Sequence, residues 1–190
     1  MPNVFGTPSK RKVFISYCAN DRATVDSFVN YWAIRQGVFT PKMVGGTYGQ
    51  DIIDSTDTNY VMGRLRTEYL SDSTVTLVLL GSCTHSRRYV DWELKASLRQ
   101  GSTYTPNGLL GILLPTYSSG IILPERFTAN WPSANYQGYA NYHWAPESAD
   151  QLRRWIEEAY ERRTSQAHLI ENSADRMLYN ARCQVCGVTH

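Results

Sequence analysis

The chain has 190 residues, of which 42% are hydrophobic and 19% charged, and its formal net charge is +2 at neutral pH. A chain of this size and composition is expected to fold as a single globular domain rather than stay disordered. The small net charge gives no electrostatic footprint for nucleic acid, and no run approaches the roughly 20 apolar residues of a membrane span. We therefore expect neither nucleic acid nor membrane as a partner.

The first residues and the cysteines indicate the compartment. Residues 1–11 contain no apolar stretch long enough for a secretory signal and predict a flexible N-terminal segment. Four cysteines without such a signal indicate reduced thiols. They are Cys18, Cys83, Cys183 and Cys186. We therefore expect a cytoplasmic protein whose main domain spans residues 12–163.

The predicted elements alternate between strand and helix. Runs of β-branched, aromatic or aliphatic residues predict strands, and apolar residues at helical spacing predict helices. In chain order the predictions are a strand at 12–17, a helix from about 21 to 36, an edge strand at 38–44, a helix at 57–70, a buried strand at 75–80, a helix at 87–100, a strand at 109–114, a short strand at 137–144 and a helix at 148–163. Such alternation favours an α/β fold with a central, mostly parallel sheet flanked by helices on both faces.

The connecting segments carry less regular patterns. In chain order they are a polar turn at 18–21 whose Asn20 or Asp21 would cap the first helix, a mobile glycine-rich loop at 45–49, a loop-rich stretch at 116–135 and a weakly helical C-terminal tail at 164–190. Ser148 and Gln151 have the spacing of a capping box, which predicts the start of the last helix.

One glutamate lies apart from the other charges on the predicted helix at 87–100. At about 100° per residue, the other charges share one arc, which predicts the solvent-facing side. That arc consists of Arg88, Asp91, Lys95 and Arg99. Glu93 falls beside the buried stripe on an aromatic flank with Tyr89 and Trp92, where desolvation would suit a catalytic carboxyl group. The alternative is a second, minor solvated face on which Glu93 pairs with Arg87 or Arg64.

Two motifs give the chain a resemblance to a known family. Val13-Phe-Ile-Ser-Tyr17, before a polar turn and a helix, fits the first strand of TIR domains. Tyr89-Val-Asp-Trp-Glu93 resembles the Trp-x-x-x-Glu motif of NAD-cleaving TIR domains, with Tyr in place of Trp. Together they resemble most closely the TIR-like subfamily of the bacterial Thoeris antiphage system. The resemblance covers about residues 12–115 and implies a flavodoxin-like TIR fold.

The resemblance implies an enzyme that cleaves NAD+ at the nicotinamide–ribose bond, with NAD+ as substrate and no cofactor. Glu93 would be catalytic and would stabilise an oxocarbenium-like transition state. The ADP-ribose would then cyclise into a cyclic ADP-ribose isomer that acts on a separate effector protein, and a homo-oligomer on activation fits the same family. Two alternatives stay open: a non-catalytic TIR protein-interaction module, and an NAD+ hydrolase that gives linear ADP-ribose.

The resemblance also implies where NAD+ would bind. Its diphosphate would lie over the end of the first strand, on backbone N–H groups at the start of the first helix. The glycine-rich loop at 45–49 would close over it. The candidate substrate-binding residues are Ser16, Tyr17, Asn20, Asp21, Gly45, Gly46, Ser82, His85, Tyr89 and Trp92.

A Cys-x-x-Cys sequence near residue 190 resembles half of a zinc site. Cys183 and Cys186 have the spacing of zinc ligands, and His190 follows them. A fourth ligand is missing nearby, since Cys18 and Cys83 belong to the carboxyl edge of the predicted sheet. We therefore predict no metal site, and a tail that is disordered or bound to a partner.

Overall fold

A computed structural model describes residues 10–44, 57–116 and 120–190, and five strands in these ranges form one parallel sheet. The strands are β1 (Lys12–Tyr17), β2 (Thr40–Met43), β3 (Val75–Leu80), β4 (Gly108–Leu113) and β5 (Asn141–His143). Their order is β2-β1-β3-β4-β5, with β2 at an edge as predicted. This flavodoxin-like order reverses between β1 and β3, so the ligand crevice is expected at their carboxyl ends. The predicted α/β fold is confirmed.

Helices lie on both faces of the sheet. Within the described ranges they are α1 (Arg22–Val29), α2 (Thr58–Arg64), α3 (Arg88–Ser97), α4 (Glu125–Ala129) and α5 (Ala149–Ser165). α1 and α2 each continue as a turn of π-helix, over Asn30–Arg35 and Leu65–Leu70. α4 lies in a stretch predicted as loop, because a five-residue helix is too short to show a helical period. Ser148 Oγ accepts from the Gln151 N–H at 3.2 Å, which confirms the predicted start of α5.

Strand β1 separates two layers of the core. Its side chains alternate, so Val13 and Ile15 join a cluster with residues of α1 and α5. Phe14 points to the opposite face and packs with residues of α2 and α3, including Trp92. Ser16 follows Phe14 by two residues and lies on that same face. The alternation therefore places a polar residue on the buried face of β1 that packs beneath α3.

The C-terminal tail packs along α3. All of residues 166–190 are described, and their one helical segment is a 3-10 turn at Ala167–Leu169. The Trp92 indole N–H donates to the Met177 carbonyl at 2.8 Å, and the Arg88 backbone N–H donates to Asn180 Oδ1 at 2.9 Å. Thus the tail is docked on its own domain, and is neither disordered nor held only by a partner.

The tail also corrects the prediction for the charged arc of α3. Asp91 is 6% exposed and forms a 2.8 Å ion pair with Arg126, which is itself buried. Asp91 Oδ2 accepts from the Met177 backbone N–H at 2.9 Å, and Lys95 Nζ donates to the Ala174 carbonyl at 2.5 Å. The predicted solvent-facing side is therefore covered, because the tail supplies donors and acceptors for its charges.

We predict that Gly108→Ala destabilises the fold. A Cβ at Gly108 would lie 1.9 Å from the Ala159 carbonyl oxygen, at the place where α5 crosses β4. Backbone atoms cannot move aside as a side chain can, so the free energy of unfolding should fall by about 2 kcal/mol or more. Gly63→Ala is the control, because a Cβ there meets nothing within 4 Å and should stabilise α2 by about 0.5–1 kcal/mol. Urea denaturation measures both, and a Gly108→Ala protein as stable as its parent would contradict the close approach.

Candidate active site

The candidate site is built on a hydrogen bond between β1 and α3. Ser16 Oγ donates to Glu93 Oε2 at 2.6 Å. β1 fixes Ser16, which is fully buried and pairs with Val78 of the neighbouring strand β3. α3 fixes Glu93, since Trp92 and Leu94 on either side of it are buried in the core. The pair lies near the carboxyl end of β1, where the topology places the ligand crevice.

The surroundings of Glu93 favour the neutral form of its carboxyl group. Desolvation raises the pKa of Glu93 to about 8, and the hydrogen bond from Ser16 opposes that rise. Glu93 is partly exposed to solvent, but the protein atoms around its carboxyl group are dense enough that desolvation is the main influence on its pKa. A carboxyl group that is shielded yet reachable, with a pKa near neutrality, can hold or release a proton at a reacting centre.

The alternative of a solvated Glu93 paired with a cation receives no support from the described residues. Arg64 pairs with Glu68 at 2.6 Å. The pKa of Glu93 is governed by burial and by Ser16, and no cation contributes to it. Among the described residues, Glu93 therefore has no cationic partner.

Tyr17 lies near the pair at the carboxyl end of β1, and Asp21 follows it at the same edge of the sheet. Burial raises the pKa of Tyr17, and the charge of Glu93 adds to that rise, which requires the two side chains to be close.

The Asp21 carboxyl group packs against Gly81, where a Cβ would lie 2.0 Å from Oδ2. It accepts from Thr116 Oγ1 at 3.2 Å, and burial raises its pKa. Asp21 occupies the N-cap position of α1, as one of the two residues predicted there, but its side chain makes no capping hydrogen bond because the carboxyl group turns toward the end of β3.

The two aromatic candidates on α3 differ in their access to a ligand. Tyr89 is 39% exposed, and its ring meets the Trp92 ring edge-on with centroids 5.3 Å apart. Trp92 is 3% exposed and uses its indole N–H on the tail. Tyr89 can therefore contact a substrate, whereas Trp92 holds α3 in place.

The remaining candidates do not reach Glu93 through any described contact. Ser82 Oγ donates to the Thr116 carbonyl at 2.9 Å. His85 Nε2 accepts from the Gln184 N–H of the tail at 3.2 Å, and Asn20 Nδ2 lies 3.3 Å from His190 Nδ1. Gly45 and Gly46 lie outside the described residues.

A cluster of thiols corrects the expected separation of Cys83 from the tail. The Sγ atoms of Cys83, Cys183 and Cys186 all lie within 4.8 Å of one another, and His190 Nε2 lies 3.2 Å from Cys186 Sγ. The Cys-x-x-Cys spacing is a sequence signal for part of this cluster. The sequence alone does not show that Cys83, about a hundred residues earlier, lies beside these two thiols. The three thiols could hold a metal ion, and His190 is the imidazole that contacts one of them.

Comparison with known families assigns the domain. A family model described as Thoeris protein ThsB, TIR-like domain, matches residues 14–119, which is more than half of the chain. The chain belongs to this family. The ThsB-type match contains both Ser16 and Glu93, and it ends before β5, α5 and the tail. Among curated proteins the comparison found no match. Within the described ranges, no helix is both long and apolar enough to span a bilayer.

We predict that Glu93→Gln stabilises the fold near neutral pH. The glutamate of the unfolded chain loses its proton near pH 4.5, and the folded one near pH 8. The unfolded state therefore binds fewer protons than the folded state in this window, and the stability of the parent falls as the pH rises through it. Glutamine resembles the neutral acid and does not titrate, so at about pH 8 its gain should be on the order of 4 kcal/mol.

Urea denaturation of both proteins at about pH 5 and about pH 8 measures this gain, which should be small at the lower pH. Glu161→Gln, at an exposed position of α5, is the matched control and should show no such pH-dependent gain. Equal stabilities of parent and Glu93→Gln at both pH values would show that the Glu93 carboxyl group is not desolvated.

Proposed function

We propose that this chain cleaves the nicotinamide–ribose bond of NAD+ and cyclises the remaining ADP-ribose into a cyclic ADP-ribose isomer. The observation that carries the proposal is the hydrogen bond between Ser16 and Glu93, at the carboxyl end of β1. Membership of the Thoeris TIR-like family and the Tyr89-x-x-x-Glu93 register support it. The four free cysteines support a cytoplasmic location for the reaction.

Cleavage of the nicotinamide–ribose bond depends on a negatively charged carboxylate more than on a proton donor. The nicotinamide of NAD+ is a cation, and when its bond to the ribose breaks, the bonding electron pair leaves with the ring nitrogen. Positive charge then develops on the ribose as an oxocarbenium-like centre, which a nearby carboxylate stabilises. Approach of the cationic nicotinamide lowers the pKa of Glu93. Binding of the substrate would therefore promote loss of the proton from the carboxyl group that stabilises the transition state.

The fate of the ribose cation decides between the signal and plain hydrolysis. Cyclisation requires a nucleophilic atom of the same ADP-ribose to reach the cation before water does. Tyr17 beside the pair and the exposed Tyr89 can cover the ribose and exclude water. In this proposal the cyclic product acts on a separate effector protein, the chain forms a homo-oligomer on activation, and NAD+ serves as substrate without a further cofactor.

We predict that Glu93→Gln abolishes nicotinamide release from NAD+. Glutamine keeps the size of the side chain but cannot supply the negative charge, so the rate should fall at least about a hundredfold. Glu161→Gln should turn over at the rate of the parent. Mass spectrometry of the product separates the two enzymatic outcomes, since the cyclic isomer is lighter than linear ADP-ribose by one water.

Outcomes of the same assay would contradict the proposal in different ways. A Glu93→Gln protein as fast as its parent would remove Glu93 from the mechanism. Release of nicotinamide with linear ADP-ribose alone would favour the hydrolase. A parent without turnover over a wide range of protein concentration would favour a non-catalytic TIR interaction module.

We predict a rising pH profile for the cleavage. Because the carboxylate is the active form and the pKa of Glu93 is about 8, kcat/KM should rise about tenfold per pH unit below 8 and level off above it. The rise in kcat should lie at lower pH, since bound NAD+ favours the carboxylate. Ser16→Ala removes a hydrogen bond that lowers the pKa of Glu93, so its kcat/KM profile should move to higher pH. A profile that is flat between about pH 6 and 9 would contradict this assignment.

A further inference from the structure

We propose that Cys83, Cys183, Cys186 and His190 form a structural Zn²⁺ site that fastens the C-terminal tail to the carboxyl edge of the sheet. The site lies apart from the Ser16–Glu93 pair, and its test does not depend on the proposed reaction. It reverses the prediction of no metal site, which assumed that Cys83 is remote from the tail.

The three thiols already have the spacing of a metal centre. Cys183 Sγ lies 3.1 Å from Cys83 Sγ, and Cys186 Sγ lies 3.5 Å from it. In a tetrahedral zinc–thiolate site with Zn–S bonds of about 2.3 Å, the sulfur atoms lie about 3.8 Å apart. To accommodate the ion, the Cys83–Cys183 pair would have to open by about 0.7 Å and the Cys83–Cys186 pair by about 0.3 Å. Cys18, the remaining cysteine, is not a member of the cluster.

His190 would supply the fourth ligand. Its Nε2 lies 3.2 Å from Cys186 Sγ but not within 4.8 Å of all three thiols, so the imidazole must move toward Cys83 and Cys183 to share their ion. Its Nδ1 lies 3.3 Å from the amide group of Asn20. Zinc-bound histidines use their second ring nitrogen on such a polar partner, and turning the Asn20 amide lets its oxygen accept from Nδ1–H. Three thiolates and one imidazole form a closed tetrahedral set, which is typical of structural zinc.

The backbone of the tail presents its two thiols together. The Gly187 N–H donates to the Cys183 carbonyl at 2.8 Å, and the Cys183 N–H donates to the Val188 carbonyl at 2.9 Å. Gly187 has a φ of 73°, which L side chains rarely adopt. This tight loop turns both thiols toward Cys83, which follows β3.

A disulfide explains less of this arrangement. Cys83 and Cys183 are close enough to be oxidised, although no disulfide joins them in the structure. A Cys83–Cys183 bond would leave unexplained why Cys186 lies beside the pair and why His190 Nε2 contacts Cys186. Zinc binding needs no oxidant: the three thiols release their protons to solvent, and the neutral imidazole donates its lone pair.

The other nearby histidine is already engaged. His85 Nε2 accepts from the Gln184 N–H, whereas His190 Nε2 lies beside Cys186 Sγ. Zinc would therefore join the loop after β3 to the last residues of the tail. Because the tail also binds Trp92 and Asp91 of α3, loss of the ion should loosen the cover of α3.

The test is the metal content of the purified full chain, produced with zinc in the medium and measured by elemental mass spectrometry. We expect about one zinc ion per chain for the parent. Cys186→Ser and His190→Asn should each lower the content at least about fivefold. The matched controls are Cys18→Ala and His168→Asn, which change a cysteine and a histidine outside the cluster and should keep the ion.

Two further measurements on the parent protein test the proposal even if the variants do not fold. Removal of the ion from the parent by a chelator should speed proteolytic cleavage within residues 166–190 about tenfold, and added zinc should reverse this. Cobalt added to the reduced, metal-free parent should give the visible absorption of a tetrahedral site together with thiolate-to-cobalt charge transfer. A parent that binds neither ion, a Cys186→Ser protein that keeps its zinc, or a Cys83–Cys183 disulfide found by mass spectrometry would overturn the proposal.

Discussion

The hydrogen bond from Ser16 to Glu93 depends on the alternation of side chains along β1. Val13 and Ile15 occupy one layer of the core, so Phe14 and Ser16 must occupy the other. Phe14 packs beneath α3, and the next position on that face presents a hydroxyl group to the helix. The same packing that fixes α3 against the sheet therefore fixes a carboxyl group at the ligand edge.

This placement opposes stability. Burial raises the pKa of Glu93 to about 8, and the hydroxyl group of Ser16 only partly compensates. A glutamine or an apolar residue would suit the fold better near neutral pH. Under the proposed function, the carboxyl group of Glu93 would lower the stability of the fold in return for activity, as active-site residues often do.

The tail imposes a second constraint on α3, through its contacts with Asp91 and Trp92. Asp91 and Arg126 form a buried ion pair, and the Met177 backbone N–H completes the partners of Asp91. Breaking one member of such a pair leaves a buried charge, which is far more costly than the pair itself. α3 is thus held by the core beneath Glu93 and by the tail above Asp91, and the thiol cluster lies where the tail ends.

The strands and the sheet could be predicted because their signal is local. β3 is entirely apolar, and β1 carries a β-branched and aromatic run whose limits agree with the structure. The isolation of Glu93 could also be predicted, since a helical period alone separates it from the other charges of α3.

The partners of α3 could not be predicted in the same way. The tail binds it largely through backbone carbonyls, such as those of Met177 and Ala174, which leave no pattern in a sequence. For the same reason the helical period predicts a solvent-facing Asp91, and the strand pattern predicts Cys83 at the sheet edge alone. Contacts between distant segments of irregular chain depend on the folded path, not on local periodicity.

The most direct test of the central claim is the titration of the Glu93 side chain by NMR, in protein labelled with ¹³C at the glutamate carboxyl carbons. The Glu93 resonance is identified by its loss in Glu93→Gln. We predict a titration midpoint near pH 8 in the free protein. A non-cleavable NAD+ analogue that keeps the cationic nicotinamide should lower this midpoint, because the cation would lie beside the carboxylate. A midpoint near the ordinary 4.5, or one that saturating analogue does not move, would contradict the role assigned to Glu93.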